Sequence, residues 1–149
     1  MVVFAPDLAL LERTLGALAR AAEHAVSAGA LKRIATTIVD NGPGDGHAAR
    51  LRASGARVLA PGRNLGFGAG HNLALREARA EFALVLNPDA VMSEDTLSAG
   101  LAFLRAHPEV VLVAPQVDTG PGGPRHLCKR EPDPWTLLVR GFGSAWLRR

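Results

Sequence analysis

At 149 residues the chain has the length of one domain, enough to bury a hydrophobic core, and a two-domain reading is disfavoured. Hydrophobic residues make up 48% and charged residues 21%, which excludes wholesale disorder. The net charge of +3 comes without any dense Lys/Arg run interleaved with aromatics, so no nucleic-acid partner is expected.

Residues 2–4 read as a first strand, after which Leu8, Leu11, Leu15 and Leu18 recur at helical spacing. Residues 34–39 are β-branched and end in the turn-rich Asp40-Asn41-Gly42-Pro43-Gly44-Asp45-Gly46, followed by a short helix over 47–54. A third strand covers 57–60. The glycine segment comes next, then a helix over 73–80 rich in Ala, Leu, Glu and Arg. Residues 82–86 read as a fourth strand, buried on both faces. Ser93 is the expected N-cap of a helix with the apolar stripe Leu97, Leu101 and Leu104, stopped by His107-Pro108, and residues 110–114 are the fifth strand. Strands alternating with helices imply an α/β layer structure, a mostly parallel sheet flanked by helices.

Cys128 is the only cysteine, which excludes an intramolecular disulfide and fits a reducing compartment. The start, Met1 to Asp7, lacks a basic leader and an apolar signal core, and no apolar run is long enough to span a bilayer, so a cytoplasmic location is expected. From Pro115 the pattern changes: Gly120 to Pro124 is a Gly/Pro linker, and Trp135 to Leu147 mixes apolar residues with arginine. Domain limits of 1–116 for the core and 117–149 for a linker and tail follow.

Three segments carry chemistry. In Arg63-Asn64-Leu65-Gly66-Phe67-Gly68-Ala69-Gly70-His71-Asn72 the glycines let main chain approach a ligand, Asn64 and Asn72 offer donors and acceptors, and Arg63 supplies a cationic fork. Such a loop suits an anionic ligand. Asp89, in Asn87-Pro88-Asp89, is expected at the carboxyl end of the fourth strand, where open α/β sheets bind ligands, and a carboxylate with phosphate is the usual holder of Mg or Mn. Asp40 ends the second strand. Each has a plainer reading: Asp89 as a turn acid, Asp40 as the stabiliser of its turn, and the glycines as a tight strand-to-helix connection. His71 reads as a helix-start residue, and His24, His47, His107 and His126 lack metal-ligand spacing.

Taken in order, Val39-Asp40-Asn41, the segment from Arg63 to Asn72, and Leu86-Asn87-Pro88-Asp89 resemble the nucleotide-sugar-binding half of family 2 glycosyltransferases with a Rossmann-like GT-A fold, especially rhamnosyltransferase-like members. The resemblance runs over essentially the whole chain. It implies that Asp40 accepts from a pyrimidine base with Asn41 beside it. Arg63, Asn64, Gly66, Phe67, Gly68 and Asn72 would belong to the loop closing over the nucleotide. Asp89, with Asn87 where many relatives have aspartate, would ligate a divalent cation on the diphosphate. The implied partners are a dTDP- or UDP-sugar and a glycan or lipid-linked acceptor.

The chain departs from that pattern in Ala5-Pro6-Asp7, where relatives carry a Thr-Tyr-Asn type of loop, and in ending at Arg149. Relatives continue into an acceptor-binding half with the general base, so the chain is expected to be truncated before it. Glu131 and Asp133 are no convincing replacement, and the catalytic base is unassigned. The tail reads as an orphaned piece of domain in preference to a peripheral membrane contact through Trp and Arg, and an unfinished sheet leads us to expect self-association. A dinucleotide-binding oxidoreductase is disfavoured, because neither glycine cluster follows the first strand or completes G-x-G-x-x-G. A noncatalytic, degenerate interaction domain stays open as the alternative.

Overall fold

The computed structural model describes residues 1–43, 51–118 and 124–125. In chain order the elements are β1 (Val2–Val3), α1 (Leu8–Ser27), β2 (Thr37–Asp40), β3 (Arg57–Leu59), α2 (Phe67–Glu77), α3 (Thr96–Ala106), β4 (Val117–Asp118) and β5 (Pro124–Arg125). Two compact units divide the chain, Met1–Val110 and Val111–Arg149. In the second, β4 and β5 form an antiparallel pair.

The first unit is built on a three-stranded parallel sheet of order β1-β2-β3. Val2 pairs with Val39 and Val3 with Asp40; Thr37, Ile38 and Val39 pair with Arg57, Val58 and Leu59. Because successive strand side chains point to opposite faces, this register sorts the helices. Val3, Ile38 and Val58 pack in one core with Leu11, Leu15 and Leu18 of α1. Val2 points the other way, and Gly70 of α2 sits so close to it that an added Cβ would lie 3.0 Å from Val2 Cγ2. Helices α1 and α2 therefore cover opposite faces, the Rossmann-like α/β arrangement expected.

Helix α1 forms where the 3.6-residue period places Leu11, Thr14, Leu18, Ala21, Ala22 and Ala25 on one buried stripe. Asp7 is its N-cap, its Oδ1 accepting from the amides of Ala9 at 2.9 Å and Leu10 at 3.2 Å. Helix α3 lies against α1, and side chains add ties: Arg105 Nη1 donates to the Ala30 carbonyl, past the end of α1, at 2.7 Å, and Arg20 reaches Glu94, ahead of α3, at 3.8 Å.

Several expectations need correction. Residues 82–86 and 110–114 are not strands: Leu84 is 46% and Val85 52% exposed, Val111 96% and Leu112 81%, and only Leu86 is in the core. An apolar run becomes a strand only by joining a ladder, and among the described residues β1, two residues long, is paired with β2 alone. Helix α2 begins at Phe67 rather than 73, so Gly68, Gly70 and Asn72 are helical and the expected glycine loop is a helix start. Close packing on β1 outweighs the low helix propensity of glycine here. Helix α3 starts at Thr96 with Asp95 in the cap position; Ser93 instead shares a hydrogen bond between hydroxyls with Thr96 at 2.9 Å. Of the expected helix over 47–54, residues 51–53 are helical and 47–50 lie outside the described residues, as do Gly44, Asp45, Gly46, Cys128, Glu131, Asp133 and the 126–149 tail.

Candidate functional site at the carboxyl edge of the sheet

Parallel strands deliver their carboxyl ends to one edge, and three of the singled-out segments follow them there: Ala5-Pro6-Asp7 after β1, Asp40-Asn41 at the end of β2, and Pro61 to Gly66 after β3. Alternation sends Asp40 and Asn41 to opposite faces. Both are buried, at 3% and 2% exposure.

Asn41 clasps the glycine segment. Its Nδ2 donates to the Gly66 carbonyl at 3.1 Å, its Oδ1 accepts from the Leu65 amide at 3.5 Å, and its own amide donates to the Val3 carbonyl at 2.8 Å. One buried side chain thus joins the ends of β1 and β2 to the segment after β3. Asn64 closes the turn from within, Oδ1 accepting from the Gly66 amide at 2.8 Å. Gly66 adopts φ 79 and ψ 170, a combination essentially restricted to glycine, and this bend starts α2. Among the described residues the α2 N-terminus has no side-chain cap. Its first intrahelical bond runs from the Gly70 amide to the Gly66 carbonyl at 3.1 Å, so the amides of residues 67–69 have no intrahelical acceptor. Arg63, Asn64, Phe67, Gly68 and Asn72, on either side of or within this stretch in sequence, are exposed, a donor-rich segment with one cation.

Asp40 Oδ1 accepts from the Gly42 amide at 3.0 Å, so this carboxylate does stabilise its turn. A carboxylate has acceptor capacity beyond one such bond. His71, one turn into α2, is buried, stacks edge-on with Phe67 at 4.5 Å, and among the described residues its Nε2 has no hydrogen-bond partner. Burial, and then the Met1 ammonium, lower its pKa.

Asp89 reaches its position differently from expectation. It is exposed, on a turn with no ladder before it, and the turn is held by Thr14 Oγ1 donating to the Pro88 carbonyl at 3.0 Å. Asn87 is likewise exposed. Sequence reasoning missed Thr14, the capping role of Asp7 and the clasping role of Asn41. A threonine at the helical spacing of Leu11 and Leu18 was the available signal.

Among the described residues no three His, Cys, Asp or Glu side chains gather as a metal cage. A lone exposed carboxylate fits a cation that arrives with substrate phosphates and retains water, the usual habit of Mg. Also among the described residues, no helix is long and apolar enough to cross a membrane.

A parallel sheet with helices on opposite faces and a clasped helix start at its carboxyl edge defines a domain of the Rossmann-like α/β class. The particular family is decided by comparison: the model for glycosyl transferase family 2 matches residues 8–145, and the chain belongs to that family. Glycosyl transfer from a nucleotide-sugar donor to an acceptor is the family's activity. No curated protein and no solved structure matches the chain.

Proposed function

We propose that this chain binds a dTDP- or UDP-sugar at the carboxyl edge of the sheet and serves the transfer of that sugar, rhamnose in our reading, to a polysaccharide or glycolipid acceptor. The observation that carries the reading is the Asn41 clasp, which builds the three signature segments' first two into one structure within a family 2 glycosyltransferase domain. Asp40 accepts from the pyrimidine base. Arg63, Asn64, Gly66, Phe67, Gly68 and Asn72 present cationic and amide donors to the nucleotide's anionic part.

Asp89, beside Asn87, would hold a divalent cation, which when bound with the donor supplies stabilisation of the charge growing on the departing diphosphate. The base that removes the acceptor's proton is unassigned. The core is assigned to 1–116 and the linker and tail to 117–149, in a cytoplasmic protein.

Calorimetric titration with UDP and dTDP, with and without manganese, on the wild type and on Asp89→Ala tests this. Metal-dependent binding that the variant loses is the expected result. Absence of nucleotide binding by the folded chain would refute the proposal and leave a noncatalytic interaction domain.

A further inference from the structure

We infer that Thr14 is a positioning residue for the Asn87-Pro88-Asp89 turn, an inference that rests on the donor-binding reading of Asp89. Thr14 is completely buried, the one polar side chain on the buried stripe of α1. A threonine inside a helix ordinarily returns its hydroxyl to a carbonyl one turn earlier. This one instead crosses to the Pro88 carbonyl, 74 residues away in sequence, at 3.0 Å.

The need for such a tether follows from the missing ladder. In an open α/β sheet a carboxylate at a strand end is fixed by the strand's hydrogen bonds, and residues 82–86 make no strand. Apolar anchors lie on either side of the turn: Leu86 is in the core, and Ala90 and Met92 pack against it. Among the described residues the backbone between them is held across the turn by the Ala90 amide donating to the Asn87 carbonyl, long at 3.4 Å, and from outside by Thr14. Apolar packing fixes depth but is non-directional, whereas the hydroxyl fixes the orientation of the Pro88 to Asp89 peptide. The Asp89 carboxylate is itself exposed, so its aim depends on that peptide.

Thr14→Val keeps the shape and removes the donor; Thr14→Ser keeps the donor and removes a methyl. Manganese-dependent binding of UDP and dTDP by calorimetry is the readout, with thermal melting of each variant and amide exchange at Asp89 and Ala90 in the free protein. Thr14→Val is expected to weaken metal-dependent binding roughly 10- to 100-fold, the usual effect of losing a group that orients a metal ligand, and to speed exchange at the two amides. Thr14→Ser should match the wild type in both. If Thr14→Val does not fold, Thr14→Ala takes its place in the comparison with Thr14→Ser.

Wild-type binding and exchange in Thr14→Val, with binding abolished in Asp89→Ala, would overturn the inference and leave the donor reading standing. Equal losses in Thr14→Ser and Thr14→Val, in step with their melting temperatures, would reduce Thr14 to a packing role. A wild type without metal-dependent binding would overturn both.

Discussion

Replacing Gly70 by alanine sets two known effects against each other at a position where the structure fixes both. An added Cβ would stand 3.0 Å from Val2 Cγ2, 3.1 Å from Val2 Cγ1 and 3.3 Å from Asn41 Nδ2. Val2 is buried in β1, and Asn41 is the clasp, so neither can yield without moving the sheet or loosening the glycine segment. Overpacking of this kind costs about 1–3 kcal/mol, while alanine in place of glycine inside a helix returns about 1 kcal/mol. The net expectation is a loss of about 0–2 kcal/mol. Gly68, two residues earlier in the same helix, has nothing within 4 Å of its added Cβ and serves as the control. Gly68→Ala should be neutral or stabilising by up to about 1 kcal/mol. Urea denaturation with unchanged m-values should therefore separate the two variants by about 1–3 kcal/mol. Equal midpoints would refute the close approach of α2 to β1, and with it the assignment of α1 and α2 to opposite faces.

Gly66→Ala places a side chain at φ 79 and ψ 170, and a loss of about 1–3 kcal/mol is expected, read by urea denaturation. The same substitution disturbs the carbonyl that Asn41 holds, so nucleotide affinity should fall with it. His71 gives a pH dependence whose sign follows from its lowered pKa. The unfolded chain, with an ordinary imidazole near pH 6.5, binds more protons than the folded one below that value, so stability falls as the pH drops through the unfolded pKa toward the folded one. Denaturation midpoints measured between pH 7.5 and 5.5 should decline less in His71→Phe than in the wild type; parallel curves would exclude His71 as the cause.

How much of the fold is legible in the sequence depends on the range of the interactions involved. The period of Leu11, Leu15 and Leu18, the β-branched run before Asp40 and the stop at His107-Pro108 are local signals, and α1, β2 and the end of α3 follow them. The order of the three signature segments was likewise in the residues, and it led to the family that the chain belongs to. Residues 82–86 and 110–114 carried strand composition, but a strand is a relation between two segments, and composition does not supply the partner. The glycine segment misled in the opposite direction: glycine-rich sequence argues against helix, yet Gly70 is helical because only a residue without Cβ lets α2 lie on Val2.

The sequence by itself determined the parts whose causes lie within a few residues: the amphipathic period of α1, the β-branched run of β2, and the stop of α3 at His107-Pro108. Tertiary structure alone decided that the Asn41 side chain spans from β2 to residues 65–66, and that Thr14 reaches Pro88. Those hydrogen bonds join groups 24, 25 and 74 residues apart, and a side-chain donor or acceptor carries no mark of a partner that far away. Only the parallel register of β1, β2 and β3, with helices on both faces, brings the partners within 3.5 Å.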